Sequence, residues 1–207
     1  MTPVIKASDL KAAGVPAHVI DLKCRPGGPW QRILPGVLLL GAAPPTRDQR
    51  LRAALAYAGP RAVVTGIDAL RAHGLRSLPP PPRIHLLQPA ATRRSCPDHV
   101  LVERTTRPPA VVRRSGLPLA EPTRAVLDAA RHEPDALRQH HLLATAVREG
   151  LCTVRGLTAE LNAGSKRGTA TPRSALKLLS TLLRQPQPPT TSADRPPPLT
   201  TAPARLR

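Results

Sequence analysis

The chain is almost free of aromatic side chains, since its 207 residues include no Phe, one Trp and one Tyr. Any hydrophobic core must therefore be built from Leu, Val, Ile and Ala, which bury less area than an aromatic ring does. We expect a modest hydrophobic contribution per residue and marginal stability. The length allows one ordinary domain, or two small ones with a tail.

Cysteines and long apolar runs are also scarce. The three cysteines, Cys24, Cys96 and Cys152, are widely spaced and odd in number, so we expect no disulfide framework. The longest apolar stretch, residues 33 to 43, is broken by a Pro-Gly pair and is too short to cross a bilayer. The N-terminal segment lacks the apolar region of a secretion signal. We therefore expect a cytoplasmic protein with no membrane partner.

Acidic residues are few, and basic residues are abundant. Lys and Arg together number 31 against 13 Asp and Glu, which gives a formal net charge of +18. Such an excess favours polyanionic partners, of which nucleic acid is the most common. The alternative is a bias of composition, because the chain is rich in Ala, Arg, Pro and Gly, as the products of GC-rich genes are. Charge alone leaves both explanations open.

The first forty residues predict two short helices followed by two short strands. Ser8 is a suitable cap for the first helix, and Gly14 stands where a helix commonly ends. Pro16 opens the second helix at a favoured first-turn position. The segments 30 to 34 and 36 to 40 predict strands around a Pro-Gly turn.

The rest of the chain alternates between helical and extended patterns, which predicts an α+β fold class. The clearest helix begins at a capping box made by Thr46 and Gln49 and ends before Gly59. Further helices are predicted at residues 66 to 73, 121 to 131, 135 to 148 and 153 to 161. Strands are predicted at residues 83 to 87 and 100 to 104, with an extended segment at residues 116 to 119.

Three regions follow from this pattern. We predict a helix-turn-helix unit with a ribbon at residues 1 to 42, a small mixed α/β domain at residues 46 to 163, and a Pro-rich tail at residues 164 to 207. A helix at residues 175 to 184 is compatible with the sequence. The remainder of the tail has too few apolar side chains to offset the entropy of ordering, so we expect it to be mostly disordered.

Two N-terminal segments resemble a known family. The residues ASDLKAAGVP at positions 7 to 16 and WQRILPGV at positions 30 to 37 resemble the winged helix-turn-helix of AbiEi-family antitoxins and regulators. Segments at residues 50 to 55, 70 to 75 and 116 to 130 agree with the same family, so the resemblance covers about residues 5 to 161. The family's unit begins with one more helix upstream, which implies a truncated unit here.

The resemblance implies a regulator that represses its own operon and restrains a nucleotidyltransferase-type toxin through the region after Pro79. Double-stranded DNA and a cognate toxin are therefore the expected partners. A helix fits the major groove, and a wing can place basic residues along the backbone. Asp21 lies on the predicted second helix, where its carboxylate would repel phosphate. The expected DNA-binding residues are His18, Lys23, Arg25, Gln31 and Arg32.

A second basic group is expected beside the later strands. This group could contact further phosphates and so form a second DNA-binding face. The alternative is that it is an ordinary solvated surface with no binding role. Trp30 is expected to serve as a core residue, because a lone large aromatic is most valuable when it is buried. The residues of this second group are Arg93, Arg94, Arg113 and Arg114.

No enzyme signature is present, and we expect neither a metal nor a cofactor. Cys96 and His99 have ligand spacing, but a structural zinc site needs a second such pair. Many AbiEi relatives carry a nuclease domain similar to very-short-patch-repair endonucleases, whose metal chemistry requires clustered carboxylates. After Glu160 the only acidic residue is Asp194. The alternative function is therefore a non-catalytic or decayed remnant of such a nuclease fusion.

Overall fold

The computed structural model describes residues 2 to 90, 97, 99 to 164 and 169 to 184. Helices and strands alternate irregularly within them, and the predicted α+β class is confirmed. The strands are β1 (Val4–Lys6), β2 (Gln31–Leu34), β3 (Val37–Leu39), β4 (Val63–Val64), β5 (Ile84–Pro89), β6 (Val100–Thr105), β7 (Val111–Arg114) and β8 (Leu117–Ala120). The helices are α1 (Ala7–Ala12), α2 (Ala17–Lys23), α3 (Arg47–Ala58), α4 (Gly66–Ala72), α5 (Pro122–His132), α6 (Ala136–Arg148), α7 (Val154–Ala163) and α8 (Ala170–Arg184).

The first sheet is small and is covered by helices on both faces. Its strands are antiparallel in the order β1-β3-β2. Alternation along β3 turns Leu38 toward Leu10 of α1 and Ile20 of α2, which together form a minor core. Val37 turns the other way and joins Leu34 in the main core beneath α3. The predicted boundary between residues 42 and 46 therefore lies between elements that pack together.

The connection between α1 and α2 is set by a glycine. Gly14 has a φ of 88°, a conformation that glycine adopts at little cost, and it follows the end of α1 as predicted. The predicted capping by Ser8 is wrong, because the chain enters α1 directly from β1 and Lys6 holds the cap position without a side-chain bond. The Ser8 hydroxyl instead donates to Asp9 Oδ1 at 3.1 Å.

Helix α3 lies between the small sheet and the second sheet and contacts both. The predicted capping box is confirmed: the Thr46 side chain accepts from the backbone N–H of Gln49, and Gln49 Oε1 accepts from the Thr46 N–H at 2.8 Å. The Gln49 amide also donates to the Thr2 carbonyl at 3.1 Å. One side chain thus fixes the start of α3 and the segment before β1.

The second sheet has five strands in the order β6-β5-β4-β8-β7. Pairs β5·β6 and β4·β8 are parallel, whereas β4·β5 and β7·β8 are antiparallel. Three short strands, β1, β4 and β7, were absent from the sequence prediction. The edge strand β7 is exposed along its whole length, whereas Leu119 of its neighbour β8 is fully buried.

Helices α5 to α8 complete the main core. Helix α8 packs against α6 and α7 and buries Ala175, Leu176 and Leu179. Packed structure therefore continues beyond the boundary at residue 163 where we placed the start of the tail, because α8 has an apolar face that the core accepts. The predicted disorder of residues 185 to 207 lies outside the described residues. No helix in the described part of the chain has the length and hydropathy needed to cross a membrane.

Candidate nucleic-acid interface

An ion pair joins the exposed side of α2 to strand β2. Arg32 Nη2 lies 2.5 Å from Asp21 Oδ1, and the two side chains remain 48% and 68% exposed. The acidic residue that looked unfavourable on this helix is therefore the partner of a predicted DNA-binding cation. Because the pair is exposed, it contributes little to stability. The ribbon of β2 and β3 is held beside α2 mainly by the minor core of Leu10, Ile20 and Leu38, and the ion pair adds a charged contact at its edge.

Lys23 lies above the indole ring of Trp30. Its Nζ is 5.5 Å from the ring centroid, which is within the range of a cation–π contact. The backbone N–H of Trp30 donates to the Lys23 carbonyl at 3.1 Å, so the loop between α2 and β2 folds back on itself. Trp30 is half-buried and packs against the minor core, with one part of the ring left for the lysine.

The Gln31 side chain is engaged within the protein. Its Nε2 donates to the Gly41 carbonyl at 2.7 Å and to the Ala43 carbonyl at 2.8 Å. These bonds fix the segment between β3 and α3. The predicted role of Gln31 in contacting DNA would need these amide hydrogens to be released, although its Oε1 remains available as an acceptor.

His18 and Arg25 are both exposed, one on α2 and the other just after it. Among the described residues, no side chain forms an ion pair or hydrogen bond with either of them. Together with Lys23 and Arg32 they form what we call the α2 face, with Asp21 as its acidic member. The structure therefore places four of the five predicted DNA-binding side chains, all except Gln31, where solvent and a ligand can reach them.

A cleft of about 300 Å³ continues from the ribbon toward the second sheet. Its basic lining consists of Arg32, Arg47, Arg50 and His99. Arg47 is neutralised, because its Nε and Nη2 donate to the buried carboxylate of Asp68 at 2.8 and 2.5 Å. Arg50 is exposed and has no ion-pair partner among the described residues.

Arg50 was not among the predicted site residues. Helical spacing gives no signal for it, because Ala53 and Ala54, which neighbour Arg50 on the surface of α3, are both buried. The cleft itself could not be anticipated, since it forms where β2, α3, the start of β5 and the residue before β6 meet. Arg50 and His99 are therefore additions to the candidate interface.

The secondary basic group is only partly described. Arg113 and Arg114 are exposed on the edge strand β7, next to a turn in which Ser115 and Gly116 have φ values of 49° and 77°. The Ser115 carbonyl accepts from Arg52 Nη2 at 2.8 Å, on a different side of α3 from Arg50. The structure does not bring this pair to the α2 face. Arg93 and Arg94 lie outside the described residues.

Further charged groups hold the second sheet and its helices together. Asp128 is fully buried, with Arg124 Nε at 2.8 Å and the Thr65 hydroxyl donating to it at 2.7 Å. Burial raises the pKa of Asp128, and the charge of Arg124 opposes that shift. Hydrogen bonds from His132 and His85 lower the pKa of Glu103 far below its usual range. None of these residues faces the cleft.

The similarity of this chain to known proteins is one of structure. No protein-family model matches the chain, and no curated protein matches it either. The chain is similar to the crystal structure of the Rv2827c protein from Mycobacterium tuberculosis, with a TM-score of 0.54 and 19% sequence identity. The match covers 84% of this chain and 71% of that one. At this level of identity the likeness shows a shared fold over most of the chain and nothing about activity.

Proposed function

We propose that the chain binds duplex DNA through α2 and the ribbon of β2 and β3, which together act as a winged helix-turn-helix. The observation that carries the proposal is the order and pairing of these elements: two helices joined at Gly14, then an antiparallel ribbon completed by β1. In such a unit the second helix enters the major groove while the ribbon follows the neighbouring backbone. The α2 face supplies the side chains for both contacts.

The ion pair between Asp21 and Arg32 gives the two parts of this unit a common geometry. A ribbon held beside α2 presents basic residues at a fixed offset from the helix, and this favours one register along a duplex. Upon binding, a phosphate would compete with Asp21 for the Arg32 guanidinium. His18 and Arg25 need no such exchange.

The cleft extends the same basic surface. Arg50 and His99 line the cleft together with Arg32 of the ribbon, and neither carries a compensating acid among the described residues. The net charge of +18 supplies the long-range attraction. We expect phosphate contacts here and base contacts at α2.

The biological role that we propose is that of an AbiEi-type transcriptional regulator and antitoxin. The support is the sequence resemblance at residues 7 to 16 and 30 to 37, which form α1, the turn before α2, strand β2 and the turn into β3. Restraint of a nucleotidyltransferase-type toxin would involve the region after Pro79. No observation on the described residues specifically favours the alternative of a decayed nuclease fusion.

Fluorescence anisotropy of a labelled duplex, titrated with the full chain at several salt concentrations, tests DNA binding. With about five phosphates contacted, log affinity should fall with log salt at a slope of about 4 to 5 in magnitude. Arg25→Ala should weaken binding several-fold. The matched control is Arg148→Ala, an equally charged change at the exposed end of α6. No binding at low salt, or equal losses in both variants, would refute a specific α2 face.

A further inference from the structure

Two histidines and one glutamate meet at a corner of the second sheet, away from the α2 face. His85 lies on β5 and Glu103 on the parallel neighbour β6, where Leu87 is paired with Glu103. Alternation along parallel strands puts His85 and Glu103 on the same face of the sheet. Helix α5 ends above this face, and His132 is its last residue.

The donor atoms of these three side chains converge. Nε2 of His85 and Nε2 of His132 each lie 3.2 Å from the same carboxylate oxygen, Oε2 of Glu103. One ligand atom from each side chain lies within 4.8 Å of the others. The imidazole rings stand edge to face at 89°, with centroids 4.7 Å apart.

We propose that His85, Glu103 and His132 form a binding site for a divalent transition-metal ion of the zinc type. Bonds of about 2.0 to 2.2 Å put neighbouring donor atoms about 2.8 to 3.1 Å apart in an octahedral shell and about 3.3 to 3.6 Å apart in a tetrahedral one. The separations of 3.2 Å between nitrogen and oxygen lie between these two ranges and close to each. An ion would therefore find these two separations already suitable, and the ligand atoms of the two imidazoles lie within 4.8 Å of each other.

The donor set and its exposure suit an incompletely filled shell. Two imidazoles and a carboxylate are ligands that zinc and its neighbours accept, and three protein ligands leave at least one position for water. His85 is nearly buried, whereas the side chain of His132 is 45% exposed, so the open position faces solvent. The carboxyl end of α5 adds partial negative charge on the side where the cation would sit.

Binding requires lone pairs on both Nε2 atoms. In the metal-free protein, a proton on each Nε2 can form the hydrogen bond to Glu103; on binding, these protons move to Nδ1 or leave to solvent. The ion would replace two hydrogen bonds with three coordinate bonds that join β5, β6 and α5. Among the described residues, this is the one set of three ligand-type side chains with such spacing.

Isothermal titration of the untagged, chelator-treated full chain with Zn²⁺ alone tests the proposal. We expect one ion per chain and, at a metal concentration about a hundred times Kd, a melting temperature raised by about 5 to 10 °C. His132→Ala and Glu103→Gln should each weaken Zn²⁺ binding at least about tenfold. Both replaced side chains are partly exposed, and circular dichroism verifies that the variants fold.

His99→Ala is the control, because His99 lies outside the three-residue set and next to other residues of ligand type in the sequence. Its Zn²⁺ affinity should equal that of the wild type. Undiminished binding in folded His132→Ala, or loss of binding in His99→Ala alone, would overturn the proposed site. Absence of Zn²⁺ binding by the wild type would also overturn it. Duplex binding is measured separately, so neither result depends on the proposed function.

Discussion

Asp21 on α2 and Arg32 on β2 are joined by an ion pair of 2.5 Å, the direct charged link between the second helix and the ribbon. Two residues that looked contradictory in the sequence, an acid on a helix expected to meet DNA and a base on the wing, are thus partners. In the free protein the pair links the ribbon to α2. It also engages the Arg32 guanidinium, which a phosphate would have to bind in place of Asp21. Its removal should therefore affect binding more than folding.

Asp21→Asn should increase DNA affinity several-fold. The substitution removes one negative charge from the α2 face and frees Arg32, so the salt slope should grow by about 0.9 if one more phosphate is contacted. The melting temperature should hardly change, because an exposed pair is worth about 0 to 1 kcal/mol. Anisotropy titrations at several salt concentrations measure the affinity and the salt slope, and thermal unfolding measures the melting temperature.

The control is Glu149→Gln, at the exposed end of α6, which removes the same charge and should leave the salt slope unchanged. Weaker binding by Asp21→Asn would show that the ordered ribbon matters more than the freed cation.

Arg32→Ala should reduce duplex affinity more than Arg113→Ala does. Arg32 belongs to both the α2 face and the cleft, whereas Arg113 lies on the edge strand β7, near the turn that contacts Arg52. The comparison is made by anisotropy at one salt concentration, with the Arg114→Ala variant as a further test of the β7 edge. Equal losses at Arg32 and Arg113 would indicate diffuse charge binding without a wing.

Local signals in the sequence were enough for most helices and for the ribbon. Gly14 and the pair Thr46 and Gln49 specify helix ends through their own backbone and side-chain chemistry, so no knowledge of distant residues was needed. Strands β1 and β4 have three and two residues and no turn signal that marks them, and β7 is exposed at every position, so none of the three shows the alternation of a half-buried strand. They form because neighbouring strands offer unpaired backbone groups.

Some features of the candidate sites could likewise be predicted from the sequence, and others could not. Exposed cations on α2 follow from helical spacing, and the sequence predicts them. The partnership of Asp21 with Arg32, and the meeting of His85, Glu103 and His132, depend on which strands pair and where α5 ends. A pattern along one chain does not contain the register of β5 against β6, so these contacts could not be predicted.

Thr46→Ala should destabilise the protein by about 1 kcal/mol, because the variant loses the hydrogen bond from the Gln49 backbone N–H to the Thr46 hydroxyl at the start of α3. For a chain of this size the melting temperature should fall by about 2 to 4 °C. Thr158→Ala is a suitable control, since Thr158 lies inside α7 and, within the described part of the chain, its hydroxyl bonds to the Val154 carbonyl of its own helix. Thermal unfolding followed by circular dichroism measures both variants. A Thr46→Ala protein as stable as Thr158→Ala would mean that Gln49 alone holds the helix start.

Cys152 should resist alkylation in the native protein. Burial raises the pKa of the Cys152 thiol to about 11, so the reactive thiolate is rare at pH 8, whereas Cys24 is half-buried and more accessible. Iodoacetamide treatment followed by peptide mass spectrometry should label Cys24 well before Cys152. In urea the two should react at similar rates. Early labelling of native Cys152 would show that α7 opens readily, since Cys152 lies just before it.

Ending the chain after residue 184 should leave thermal stability unchanged, whereas ending it after residue 164 should lower it strongly. The segment from residue 185 to the C-terminus has only Leu199 and Leu206 as large apolar side chains, so its contribution to any core is small. The longer deletion also removes α8, which buries Ala175, Leu176 and Leu179. Burying two leucines alone is worth about 3 to 6 kcal/mol.

Thermal and urea unfolding of the two shortened chains, compared with the full chain, measure this difference. The chain ending at 184 should keep its melting temperature within about 2 °C, which corresponds to less than about 1 kcal/mol. A replacement within the full chain, Leu176→Ala, separates loss of packing from loss of length and should cost about 2 to 5 kcal/mol. A chain ending at 164 that is as stable as the full protein would show that α8 does not belong to the core, because loss of three buried side chains from a core must lower the free energy of unfolding.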